Sequence, residues 1–201
     1  MDFYEIWKQL VDGLYATSWL EYIAVFFGIA SVVFSRMENI WVYPTGLVNT
    51  VLYIYLSYMA KLYAEAGVNF YYTVMSIAGW AMWARKTEGQ PLLHITRSTR
   101  REWGLSLAFF GICWVALFLI LEHWTDSTVP AADAFASASA YTGMLLMTRK
   151  KLENWLWWTL TNLASIPLYF LKGFVFTSVQ YLVFLSLSVL GYLEWRRKLK
   201  G

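Results

Sequence analysis

The sequence predicts an all-α integral membrane protein with seven transmembrane helices, built as two parallel three-helix repeats joined by a linker helix. Three observations predict it. First, 59% of the 201 residues are hydrophobic and 14% are charged, whereas a soluble domain is roughly a quarter charged and under half apolar. Second, the apolar residues gather into seven runs, each near the ~20 residues that a helix needs to cross a bilayer. Third, the two halves of the chain match one another at an offset close to 112 residues. This composition excludes a disordered chain, a disulfide-framed secreted domain and an ordinary soluble enzyme. The net charge of +3 gives no sign of nucleic-acid binding, because the basic residues sit between apolar runs. The single Cys113 lies inside such a run and has no internal partner for a disulfide.

Residues 3–15 read as a short helix lying on the membrane surface, with Phe3, Ile6, Trp7 and Leu10 on one face. Asp2, Glu5 and Lys8 interrupt this stretch, which therefore does not resemble a cleavable signal peptide. The first three runs cover about 19–35, 40–60 and 62–83. A basic loop over 84–102 follows, then a run over 103–124. The last three cover 130–147, 153–171 and 174–195. Lipid forces every backbone polar group to pair within the protein, and these continuous runs lack the ten-residue alternation of a barrel, so helices are expected. Orientation follows from the basic residues. With the N-terminus outside and the C-terminus cytoplasmic, the inner segments hold 13 of the 16 Lys and Arg residues, leaving Lys8, Lys61 and Lys172 outside. The expected location is the bacterial inner membrane, as a multi-pass protein.

The internal match defines the organisation. Ser76-Ile-Ala-Gly79-Trp80-Ala-Met-Trp83-Ala-Arg85-Lys86 resembles Ser188-Val-Leu-Gly191-Tyr192-Leu-Glu-Trp195-Arg-Arg197-Lys198 at an offset of 112, and Glu21 matches Asp133 at the same offset. Arg36-Met-Glu38-Asn39 resembles Lys151-Leu-Glu153-Asn154 at 115, which calls for small insertions between blocks. One transmembrane transporter domain over 1–201 results, with repeat 1 at about 19–86, a linker helix at 103–124 and repeat 2 at 130–198. The extra span returns the chain, so both units keep one orientation and a substrate path can follow the axis between them.

Candidate site residues are polar or aromatic groups inside the runs. Asn69 pairs with Gln180 at an offset of 111, and Asn49 with Asn162 after a two-residue shift. A polar side chain within the bilayer faces the bundle interior and needs a partner. Four neutral amides in related places suit a polar cavity for an uncharged amide-bearing or hydroxyl-bearing ligand; interhelical stapling is the alternative. The densest signal is Asn154-Trp155-Leu-Trp157-Trp158-Thr-Leu-Thr-Asn162. Trp155, Trp158 and Asn162 fall at i, i+3 and i+7, one helical face. Trp faces attract cations and stack on flat rings. Trp157, Trp103, Trp124 and Trp195 read as anchors at the membrane–water interface.

Catalytic and metal-ligating patterns are missing. The chain has no phosphate-binding loop, no His-Glu-x-x-His and no Gly-x-Ser-x-Gly. His94 and His123 stand isolated near water. Glu21, Glu65 and Asp133 lie toward the outer side, where helix N-terminal roles are expected in preference to ion coupling. No catalytic residue, metal or cofactor is expected.

Through Glu153-Asn154-Trp155-Leu-Trp-Trp158-Thr-Leu-Thr-Asn162, and through the first-half stretch from Leu62-Tyr63-Ala64 to Gly79-Trp80-Ala-Met-Trp83, the chain resembles the Pnu family of bacterial vitamin transporters. The PnuC type, which takes up nicotinamide riboside, is the most similar. The motif Trp-x-x-Trp-x-x-x-Asn/Asp stands complete at Trp155, Trp158 and Asn162. The resemblance implies a three-one-three helix arrangement, a homotrimer in the lipid bilayer, and facilitated diffusion of a small-molecule vitamin that cytoplasmic phosphorylation then traps for NAD biosynthesis. It also implies a substrate site that includes Trp155, Trp158 and Asn162; Trp80, in the matching first-half stretch, is a further candidate. Thiamine and riboflavin transporters share the architecture and remain alternatives. A membrane receptor or scaffold, whose amides only staple helices, is the alternative of another class.

Overall fold

A computed structural model describes residues 3–59, 63–87, 89–125, 127–171 and 175–200. Lys61, Leu62 and Lys172 lie outside the described residues, as do the side chains of Phe3, Ile6, Tyr63 and Ala64. The described chain is all-helical apart from one two-residue hairpin. Its helices are α1 (Phe3–Ala16), α2 (Trp19–Arg36), α3 (Val42–Met59), α4 (Tyr63–Trp83), α5 (Arg100–Trp124), α6 (Pro130–Thr148), α7 (Asn154–Leu171) and α8 (Val175–Lys198). The hairpin pairs β1 (Lys86–Thr87) with β2 (Gln90–Pro91) in the α4–α5 connection.

Local chemistry sets the helix starts. Ser18 caps α2 by accepting from the Glu21 amide at 3.2 Å. Thr99 and Glu102 form a reciprocal capping box at α5. Pro130 opens α6, where its missing N–H costs nothing. Glu21, Glu65 and Asp133 each sit in the first turn of a helix, where an acid complements the helix dipole.

The exterior is far more apolar than that of a water-soluble protein, and polar side chains are seeded into the interior. Phe26 is 68% exposed, Phe70 62% and Ile112 70%. Meanwhile Ser35, Ser139, Thr142, Asn154 and Asn162 are buried. An apolar exterior over a polar-seeded interior is what lipid selects. By length and apolarity alone, α2 and α5 are long enough to cross a membrane.

Six helices close a ring. α2 packs on α3, α3 on α4, α4 on α6, α6 on α7, α7 on α8, and α8 returns to α2. α5 lies outside the ring against α6, and α1 rests on α8. The offset between halves is constant. α2 ends at Arg36 and α6 at Thr148; α3 begins at Val42 and α7 at Asn154. Ser35 Oγ donates to Met147 Sδ at 3.4 Å, and Lys150 Nζ to Glu38 Oε1 at 2.7 Å, each pair 112 residues apart. Glu38 and Lys150 also share a left-handed backbone, with φ of 62° and 51°. No insertion separates the halves, so the sequence alignment at 115 is corrected: Asn154 stands where Val42 stands, not Asn39. For the same reason Asn49 stands opposite Thr161, Thr50 opposite Asn162, and Asn69 opposite Tyr181.

The core lies at the end of the bundle where the basic residues gather. Tyr43, Trp83, Trp155 and Trp195 form its centre. A Cβ on Gly79 would lie 2.5 Å from the Tyr43 ring, and one on Gly191 would lie 2.6 Å from the Trp155 ring. Only glycine admits these rings at such close approach. Trp83 Nε1 donates to Thr148 O at 3.2 Å, and Trp195 Nε1 donates to Ser35 O and Arg36 O at 3.1 and 3.2 Å. Each indole thus serves carbonyls at the C-terminus of a helix in the other half, where four carbonyls lack helical donors. Trp195 is fully buried and Trp157 nearly so, which corrects their reading as interfacial anchors; Trp124 is 82% exposed.

The α4–α5 connection is tied down. Thr96 N donates to Lys150 O at 3.1 Å, and Leu152 N to Thr96 O at 2.9 Å. Ser98 N and Oγ both donate to Glu153 Oε2 at 2.8 Å.

Candidate functional site

The aromatic face of α7 divides into two environments. Trp155 is 1% exposed and makes a T-shaped contact with Trp195, centroids 5.6 Å apart. Its Nε1 is buried without a hydrogen-bond partner among the described residues. One turn further, Trp158 is only partly buried. Its ring lies 6.3 Å from Tyr72 of α4 and against Gly143 of α6, where a Cβ would come within 3.2 Å. Tyr72 in turn lies 6.0 Å from Tyr141, and Tyr71 lies 4.3 Å from Tyr141 with its hydroxyl donating to Tyr141 O at 3.1 Å. Three tyrosines and one tryptophan therefore meet where α4, α6 and α7 converge, between the two halves of the chain. One turn beyond Trp158, Asn162 is 4% exposed, and among the described residues no hydrogen bond engages its side chain.

The other candidates are placed differently. Asn49 Nδ2 donates to Ala24 O at 2.7 Å and staples α3 to α2. Asn69 Nδ2 donates to Glu65 O of its own helix at 3.0 Å. Gln180 is half-buried and hydrogen-bonds the Tyr53 side chain, linking α8 to α3. Near it, Tyr169 and Tyr181 stack with centroids 5.2 Å apart, within reach of Ser165. Trp80 is 40% exposed on the outside of α4, away from the aromatic cluster. The structure therefore brings Trp158 together with groups not singled out above: Tyr71, Tyr72, Tyr141 and Gly143. Their signal was available in part, since Tyr72 follows Asn69 at i+3 and falls on its helical face.

Trp157, on the adjacent face of α7, lies 5.1 Å from Phe110 of α5 and carries the outer helix. Among the described residues, no cluster of three His, Cys, Asp or Glu suits a metal. The α4–α6–α7 junction thus offers aromatic faces and neutral amide and hydroxyl groups, with the Cys113 thiol of α5 close to Tyr71 and Tyr141. Aromatic faces with neutral polar groups can hold flat, polar molecules by stacking and hydrogen bonds.

Comparison with known proteins points to a family of transporters. A family model described as nicotinamide mononucleotide transporter matches residues 18–197. The chain is 24% identical to the nicotinamide riboside transporter PnuC of Escherichia coli (strain K12), covering 97% of this chain and 94% of that one. It is 22% identical to the riboflavin/roseoflavin transporter RibM of Streptomyces davaonensis, over 88% of this chain and 84% of that one. Its fold matches the crystal structure of the vitamin B3 transporter PnuC with a TM-score of 0.73 and 28% identity, covering 98% and 89% of the two chains.

Proposed function

The chain belongs to the nicotinamide mononucleotide transporter family, a family of transporters and not of enzymes, and from that premise we propose that it carries nicotinamide riboside across the bacterial inner membrane by facilitated diffusion. The observation that carries this reading is the junction of Trp158 with Tyr71, Tyr72 and Tyr141, beside the unengaged amide of Asn162. Nicotinamide riboside presents a flat pyridinium, a carboxamide and ribose hydroxyls. Aromatic faces attract the cationic ring, worth ~0.5–2 kcal/mol per face depending on desolvation. Asn162 and the tyrosine hydroxyls supply partners for the carboxamide and sugar. In this reading α2–α4 and α6–α8 are two parallel repeats, α5 is the linker, and the path follows the axis between them. The working unit is a homotrimer, and phosphorylation in the cytoplasm traps the product.

The similarity to RibM favours one second reading, a riboflavin substrate. A flavin also stacks on aromatic faces, but its ring is neutral and larger. Uptake into vesicles separates the two. Vesicles holding the protein should equilibrate radiolabelled nicotinamide riboside and leave riboflavin outside; the reverse preference would reassign the substrate, and no uptake of either would remove the transport reading.

Two further outcomes follow. The distribution of the basic residues supports an N-terminus outside and a C-terminus in the cytoplasm. His94 is exposed, whereas Ser98 is engaged by Glu153, so His94→Cys in a Cys113→Ala background is the cleaner probe. An impermeant thiol reagent should leave it unmodified in intact cells and modify it in inverted vesicles; modification in intact cells would invert the topology.

Uptake should also be passive, stopping at the outside concentration in empty vesicles. Glu21, Glu65 and Asp133 all lie in first turns of helices, and Asp133 accepts from Ser127 Oγ at 2.5 Å. Accumulation above equilibrium that an uncoupler abolishes would assign ion coupling to one of them.

A further inference from the structure

The Glu38–Lys150 pair, like Ser35–Met147, joins the two halves at residues 112 positions apart, and it is the charged one of these two contacts. Glu38 follows the end of α2, and Lys150 follows the end of α6. Their side chains meet at 2.7 Å, with Lys150 only 6% exposed and Glu38 23%. Lys150 Nζ also sits 4.6 Å above the Trp83 ring, and Lys198 Nζ of α8 approaches the second Glu38 oxygen at 3.4 Å. Two features make this pair unlike a surface ion pair. It is largely desolvated, so loss of one partner strands a charge in a poorly hydrated place. Moreover, both residues hold the left-handed conformation that favours Gly or Asn, yet both carry long charged side chains. The backbone strain is kept at two equivalent positions, and at both the side chain is engaged across the axis.

The contacts around the pair all join one half to the other: Ser35 to Met147, Trp83 to the end of α6, and Trp195 to the end of α2. A path along the axis is therefore closed at the basic end, and only separation of the halves opens it. We propose that Glu38 and Lys150 are positioning residues for transport, forming the ionic latch that holds the basic end of the path closed. This rests on the transport reading above. Glu38 takes two cations, so it is the keeper of the latch; Lys150 bridges it to the Trp83 side of the plug. Each transport cycle must break the pair and re-form it.

The test uses the full chain in inverted membrane vesicles, with Ser31→Cys in a Cys113→Ala background. Ser31 lies one turn below Ser35 on α2, beneath the latch. With Glu38 and Lys150 intact, a membrane-impermeant maleimide should react slowly. Lys150→Met should raise the labelling rate about ten-fold or more, because the carboxylate loses its close, buried partner, keeps only Lys198 at 3.4 Å, and then favours the separated, hydrated state. Lys150→Arg should restore the slow rate, which a role in packing alone would not require. Nicotinamide riboside binding should persist in Lys150→Met while its uptake rate changes. Equal labelling with and without Lys150→Met would overturn the latch, as would Lys150→Arg labelling as fast as Lys150→Met. If the parent protein binds no nicotinamide riboside, the transport reading fails, while the labelling series still decides the latch.

Discussion

Trp195→Ala is expected to destabilise the protein by about 3–5 kcal/mol, the range for truncating a buried Trp. Trp195 is fully buried, lies 5.6 Å from Trp155 and 6.2 Å from Trp83, and donates its Nε1 to the last carbonyls of α2. Removing the ring leaves a cavity at the junction of the halves and takes a donor from the Arg36 carbonyl. Trp83→Ala should behave alike, since Trp83 serves Thr148 as Trp195 serves Arg36. Trp124→Ala, at 82% exposure, should change stability by less than about 0.5 kcal/mol. The readout is the fraction of purified protein that stays monodisperse in detergent after heating. Equal losses for Trp195→Ala and Trp124→Ala would contradict the burial that the fold assigns to Trp195.

The second large effect concerns the ligand. Trp158→Ala should weaken nicotinamide riboside binding about ten-fold, equivalent to the ~1–2 kcal/mol of one desolvated cation–π contact. Asn162→Ala should cost a similar factor, since an unpaired polar group on the ligand is worth ~1–3 kcal/mol. Trp157→Ala is the control. Its ring lies against Phe110 of α5 and not toward Tyr72, so it should lower stability and leave affinity unchanged. Calorimetric titration of each purified variant reads the affinities directly. If Trp157→Ala alone weakens binding, the substrate lies on the α5 side of α7.

Much of the fold is legible in the sequence because the bilayer makes length and apolarity decisive. The run at 153–171 becomes Asn154–Leu171, and the run at 130–147 becomes Pro130–Thr148. What the sequence leaves hidden depends on which helix faces which. Gly79 and Gly191 match by eye, yet only the packing shows why: one receives Tyr43 and the other Trp155. Trp195 near a helix end looks like an interfacial anchor, and its burial follows from a partner in the other half. Each amide pairing slid by one residue because neutral amides carry no marker of register, whereas helix ends at Arg36 and Thr148 do. Asn49 and Asn69 look equivalent to Asn162 as polar residues inside apolar runs. Two of them find carbonyl partners and the third does not, a distinction that depends on backbone proximity across the helices. The tyrosines around Trp158 come from two separate segments, α4 and α6, and no periodicity within one segment announces their meeting with α7.

The central claim is that this lining holds nicotinamide riboside. The most direct measurement is a calorimetric titration of the purified protein with nicotinamide riboside, thiamine and riboflavin in parallel. The account predicts saturable heat with nicotinamide riboside, lost in the Trp158→Ala, Asn162→Ala double variant, and no comparable binding of the other two. Tight binding of riboflavin or thiamine with none of nicotinamide riboside would contradict it.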